Sequence, residues 1–283
     1  MATAPGPTST FDIGRVIERT VTTITGNFGV FILLAAVLAG LPAAVFSTGM
    51  VEIFLHSGLS SLGSAPGQPL SQDIFHVLTN ALPALGALGL IAWLVSLVAN
   101  YVLQAAIVHG AITSLNGRRA SFGECISTGL RHWFWLLLLA IVTGVALFFG
   151  FILLIFPGLM MLTAWVVAVP AQVVERTGVF GALGRSADLT RGRRWPIFGL
   201  LVVYAIAAYI FQIVLQSLTN VAVVGFLHGL SPTLAPLVGG LIISPVNRTI
   251  TSLVGAAGVA SIYYELRSAR EGIGPEALAA VFD

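Results

Sequence analysis

The sequence predicts an all-α fold: a polytopic bundle of about six transmembrane helices, with amphipathic cytoplasmic helices lying along the membrane interface. Three observations carry this. Of 283 residues, 57% are hydrophobic and only 8% charged, against about 25% charged in soluble domains. Such a chain, with a mean hydropathy of +0.98, cannot build a hydrated surface, so lipid must solvate most of it. Six apolar runs approach the roughly 20 residues that a crossing helix needs. Finally, twelve of the thirteen arginines fall in alternate connections.

The first run covers residues 28–46, and the 27 residues before it are too many for a signal peptide, so it reads as a retained helix. The second covers 81–108 and the third 133–156. Pro157-Gly158 then forces a turn, because proline stops one helix and can open the next. The fourth covers 159–174, with a kink expected at Pro170. The fifth starts at Pro196 and covers 196–220, and the sixth covers 249–264.

All thirteen basic residues are Arg. Arg15 and Arg19 precede the first run. Arg118, Arg119 and Arg131 lie between the second and third. Arg176, Arg185, Arg191, Arg193 and Arg194 lie between the fourth and fifth, and Arg267 and Arg270 follow the sixth. Only Arg248 falls on the other side. Arg-rich connections stay cytoplasmic, which places both termini in the cytoplasm. The chain divides into a cytoplasmic amphipathic segment (1–27), a membrane domain (28–270) and a cytoplasmic tail (271–283). The all-Arg, Gly- and Ala-rich composition fits a GC-rich bacterial genome and hence a bacterial inner membrane.

Three stretches share one layout. Phe11 to Arg15, Phe122 to Ile126 and Phe180 to Arg185 each open a short segment that leads into an apolar hairpin. In the first, Ile13, Val16, Ile17, Val21 and Ile24 recur at helical spacing, with Arg15 and Arg19 elsewhere. Such a helix lies in the interface with its Arg near anionic headgroups, and Trp133, Trp135 and Trp195 sit at headgroup depth. Internal repetition and the common character of cytoplasmic connectors both account for the pattern.

From Pro157-Gly-Leu-Met-Met161 onward, the stretches Pro170-Ala-Gln-Val-Val-Glu175, Gly181-Ala-Leu-Gly-Arg-Ser186, Leu189-Thr-Arg-Gly192 with Trp195, and Tyr263-Tyr-Glu-Leu-Arg267 follow. Together they resemble the membrane domain of the glycerophosphoryl diester phosphodiesterase family. In some members of that family a soluble domain joined to this region carries the catalysis. The longest non-membrane stretch here, 47–80, is too short to hold that domain. The resemblance therefore implies a membrane partner or anchor connected with lipids, and carries over no catalytic residue.

The sharpest site signal is a pair of polar stripes. Ser96, Asn100 and Gln104 are spaced by four on one run, and Gln212, Gln216 and Asn220 on another. Residues at i and i+4 share a helix face, and polar groups avoid lipid. Both stripes should therefore point inward, with Ser96, Asn100 and Gln212 meeting near the bilayer centre. Either they glue helices together by hydrogen bonds, or they line a cavity for a headgroup or small solute. Arg248 either snorkels to the outer headgroups or binds an anionic one. Arg185, Arg191, Arg193 and Arg194 are candidate headgroup contacts at the cytoplasmic face. Glu175 is expected to pair with Arg176 or Arg185.

No catalytic motif emerges: there is no Walker-type loop, no HExxH and no cysteine pair, and Gly181 to Arg185 follows no strand. The pairs Glu52/His56 and Asp73/His76, with His228, have metal-ligand chemistry but read as ordinary solvated loop residues. Cys125 reads as an inert thiol in a short polar loop. No cofactor or metal is expected. The expected partners are membrane lipid and a possible protein partner, with no nucleic acid. The expected role is a non-enzymatic, lipid-associated or scaffold component, with a permease as the alternative.

Overall fold

A computed structural model describes residues 11–56, 82–115, 120–226 and 239–271, and these are helical almost throughout, with no strand among them. The first unit comprises α1 (Ile13–Gly26), α2 (Phe28–Ala35), a π turn (Ala36–Gly40), α3 (Leu41–His56) and α4 (Leu82–Leu115). The second comprises α5 (Phe122–Arg131), α6 (Trp133–Leu153), α7 (Ile155–Ala164) and α8 (Ala168–Glu175). The third comprises α9 (Gly178–Thr190), α10 (Arg194–Phe226), a second π turn (Gly239–Ile243) and α11 (Ser244–Glu271). In each unit a short helix precedes a pair of long helical segments.

Among the described residues, five segments are long and apolar enough to cross a membrane: Phe28–Val51, Gly86–Ser114, Trp133–Leu153, Ile155–Glu175 and Arg194–Leu218. These are the first five expected runs, with shifted ends. The first runs straight through its π turn. The sixth expected run lies within α11, a 28-residue helix whose charges and small residues leave it outside the apolar set.

The expected turn at Pro157 comes earlier. Leu154 alone leaves helical geometry, at φ −166° and ψ 143°, and Pro157 sits in the first turn of α7, where its missing N–H costs nothing. The bend stays hydrogen bonded: Leu154 N donates to Gly150 O at 3.2 Å and Gly158 N to Leu154 O at 3.4 Å. Its tip is wholly apolar, and Leu154 is 67% exposed.

The kink expected at Pro170 is a full break. Helix α7 stops at Ala164, and α8 restarts at Ala168 with Pro170 in its first turn. Proline clashes with the carbonyl four residues earlier, which ends the helix ahead of it. Because Ala168 N turns to Trp165 O, the Ala164 carbonyl loses its helical donor. Two buried α9 hydroxyls replace it, Ser186 Oγ at 2.7 Å and Thr190 Oγ1 at 3.3 Å. An unsatisfied carbonyl in this dry position would cost about 1–3 kcal/mol.

The core has three parts. Phe31 and Leu34 pack with Leu103, Ile107, Leu253 and Ala256 at the centre. Leu136 and Leu139 pack on Ala168, Val173 and Leu183. Val16, Val174, Leu189, Ile197, Tyr263 and Leu266 fill the Arg-rich end. The small face of α11 packs inside the chain, with Ala256, Ala257 and Ala260 buried. Gly129 is required by close approach: a Cβ there would lie 2.8 Å from the Val102 carbonyl oxygen. Cys125 is on α5 rather than in a loop, where burial pushes its thiol up to about 11, so it carries almost no reactive thiolate.

Candidate functional site

Two places gather polar side chains. The first is the Arg-rich end, organised by the Tyr263–Arg267 motif on α11. Glu265 is buried, with its side chain 2% exposed, and forms ion pairs with Arg15 Nη2 and Arg19 Nη1 at 3.0 Å each. Arg19 also lies 4.4 Å over the Tyr264 ring, a cation–π contact. Tyr263 OH donates to Glu175 Oε1 at 3.0 Å and accepts from Arg267 Nη1 at 3.2 Å. Arg185 Nε forks onto both Glu175 oxygens at 3.0 and 2.8 Å, and its Nη2 pairs with Glu271. Arg267 closes the ring on Glu271 at 2.8 Å.

A buried carboxylate is tolerated only when its charge is matched and its lone pairs are filled. Here α11 takes part in two clusters: its Glu265 binds Arg15 and Arg19 of α1, and its Tyr263, Arg267 and Glu271 join Glu175 of α8 and Arg185 of α9. Glu175 takes Arg185, as one of the two expected pairings held, and Arg185 is thereby committed to carboxylates. Arg15 and Arg19, expected to face lipid headgroups, turn instead to Glu265.

The remaining cytoplasmic candidates surround the turn from α9 to α10, where Gly192 adopts φ +81°. Arg191 is exposed, and its carbonyl accepts Arg270 Nη2 at 2.9 Å. Arg193 and Arg194 are half-buried, and Arg193 Nη1 and Arg194 Nε have no hydrogen-bond partner among the described residues. Arg118 and Arg119 lie outside the described residues.

The second place is a groove of about 760 Å³ between α1, α4, α10 and α11. Helix α10 packs chiefly on α11, α7 and the second π turn, which leaves this space between it and α4. Asn100, Gln104, Gln212 and Arg248 all line it. Gln216, on an exposed part of α10, does not. Asn100 binds across helices: its Oδ1 accepts Ser252 Oγ at 3.2 Å, and its Nδ2 donates to Ser96 O at 2.6 Å. The hydrogen-bond reading of this stripe thus holds at Asn100, while the stripe also faces the groove.

Gln212 does not meet Asn100 at mid-depth. Tyr204 OH donates to Thr251 O at 2.7 Å, and the two helices run antiparallel, since Arg191 meets Arg270 at the other end. Gln212, about two turns beyond Tyr204, therefore lies well past the Asn100–Ser252 level, toward the end of the groove that holds Asn247 and Arg248. Those two form the polar end of the groove. Asn247 Oδ1 is buried and has no hydrogen-bond partner among the described residues. Arg248 makes no ion pair among them.

Elsewhere, Glu52 and His56 lie on α3, while Asp73, His76, His228 and the interhelical role of Asn220's side chain lie outside what is described. Among the described residues no three metal-ligating side chains cluster. Sequence reasoning missed Glu265, Ser252 and Tyr204. Glu265 carried a signal, being a carboxylate inside an otherwise apolar and basic helix end. No protein-family model, curated protein or solved structure matches the chain. Fold and groove together define an integral membrane protein of the helical class with a cleft along its side.

Proposed function

We propose that the chain is a multi-pass protein of the bacterial inner membrane, with both termini cytoplasmic, that holds a membrane phospholipid in the α10–α11 groove and performs no chemistry on it. The observation that carries this is the groove's make-up. One end is cationic and polar at Arg248, Asn247 and Gln212, and the rest is lined by apolar side chains with Thr20, Asn100, Gln104, Thr251 and Ser252 among them. An amphiphile with an acidic headgroup matches both parts. The rim residues Ile17, Val21, Val203 and Tyr209 are apolar and exposed, so a lipid enters from the side.

In this reading α11 is the sixth span, and α1, α5 and α9 lie at the cytoplasmic interface. Exposed Trp195 and Phe180 beside Arg191, Arg193 and Arg194 suit that depth. The resemblance to the glycerophosphoryl diester phosphodiesterase membrane domain is in keeping with a lipid connection. A permease for a small polar solute is the second reading, favoured by the amides of Asn100 and Gln104 at membrane depth.

The test is native mass spectrometry of protein extracted gently from its own membranes. A stoichiometric phospholipid is expected, and Arg248→Glu should weaken its retention roughly tenfold, the effect of losing one charge-assisted contact. A bare chain, or one carrying only a protein partner, would turn the reading toward a scaffold. A bound water-soluble solute would select the permease.

A further inference from the structure

Beyond holding a lipid, the groove has the form of a path. Its α11 wall extends from Asn247 and Arg248 to Ile262, about 21 Å at 1.5 Å per residue, against about 30 Å of hydrocarbon. Polar side chains recur along it. Arg248 comes first, then Thr251 and Ser252, one turn on, with Asn100 bonded to Ser252. Gln104 follows one turn further along α4, and Thr20 of α1 stands at the Arg-rich end. Successive rungs on one helix are about 6 Å apart, close enough for a headgroup to leave one before it has passed the next.

One glycine borders clear space: a Cβ at Gly258 would meet nothing within 4 Å, whereas the space beside Gly255 is taken by the Tyr204 ring. Gly258 thus borders open space inside the groove. The rim is apolar and exposed over its length, Val203 by 61% and Tyr209 by 65%. A headgroup inside the groove would leave its acyl chains in the bilayer. What stops a headgroup from crossing pure lipid is desolvation of its charge, and a ladder of hydroxyl and amide groups lowers that cost at each step.

Resting on the lipid-binding reading above, we infer that the groove conducts phospholipid headgroups from one leaflet to the other while the acyl chains remain in the membrane. No bond is made or broken and no energy source is required, so movement runs both ways toward equal leaflet composition.

The test uses the full chain in phosphatidylethanolamine–phosphatidylglycerol vesicles containing a trace of phospholipid labelled on its headgroup with a fluorophore. Dithionite, which does not cross the membrane, bleaches the outer leaflet only. Wild-type protein is expected to render the inner-leaflet label bleachable as well. Gln104→Leu, which removes a rung, should slow this roughly tenfold, as expected for losing one polar contact to a charged group, and Gly258→Leu, which fills the path, should slow it at least as much. Gly144→Leu on α6, where a Cβ also meets nothing within 4 Å, should leave it unchanged. Wild-type vesicles that bleach only their outer leaflet overturn the inference, as does transfer that both groove variants leave intact. If lipid is still retained in native mass spectra when transfer is absent, the groove is a static binding site and the lipid reading survives. If neither lipid nor transfer is seen, both fail.

Discussion

The Arg-rich end and the α10–α11 groove both present arginine and arrange it in opposite ways. At the Arg-rich end, Glu175, Glu265 and Glu271 are each matched by arginine within the chain. In the groove, exposed Arg248 has no carboxylate among the described residues. Polar groups that satisfy one another hold a fold together. Polar groups left open onto an accessible space are available to something else. Counting arginines in the sequence cannot distinguish these two cases, whereas the pairing pattern does.

That contrast can be broken in three places, each read by thermal or denaturant unfolding in detergent. The largest loss is expected from Arg15→Ala with Arg19→Ala, which strands Glu265 in the core. Removing the partners of a buried charge costs about 3–5 kcal/mol, and both arginines are about one-third exposed and so partly screened, which sets the expectation near the low end. Restoring stability by adding Glu265→Gln to the double variant would confirm that the stranded charge is the cause. A double variant as stable as the parent would mean the network is decoration. Next comes Ser186→Ala, which leaves the Ala164 carbonyl to Thr190 alone. It should cost about 1–2 kcal/mol, and a neutral result would show that Thr190 or water suffices. The smallest effect belongs to Asn100→Leu, which removes the Ser252 bond. Interhelical hydrogen bonds in membranes average about 0.6 kcal/mol. A loss several times larger would place Asn100 with the structural network and weaken the case for a working groove.

Much of the helical layout was legible. Apolar runs and prolines mark where helices start and stop, because hydrocarbon demands closed backbone hydrogen bonding whatever the tertiary fold. The stripes of Asn100, Gln104, Gln212 and Gln216 read either as helix-to-helix hydrogen bonds or as a cavity lining; Asn100 bonds to Ser252, and three of the four, with Arg248, line one space. Their mutual depth was not legible. Counting along each helix assumes that both cross the bilayer squarely, and the Tyr204–Thr251 contact sets another register. The break at Trp165–Val167 was reduced to a kink at Pro170, since the Ser186 and Thr190 hydroxyls that make a full break affordable lie on the next helix. Glu265 was missed for the same reason: its partners are some 250 residues away in the chain, and composition is blind to that distance.

The Leu154 bend has a consequence for how the chain enters its membrane. From Trp133 to Val174 there is no charged residue, and the bend keeps its own amides hydrogen bonded. Nothing ionic has to be carried through the hydrocarbon for α6, α7 and α8 to take their places. The α6–α8 hairpin can therefore pass into hydrocarbon folded over, without dehydrating a single charge.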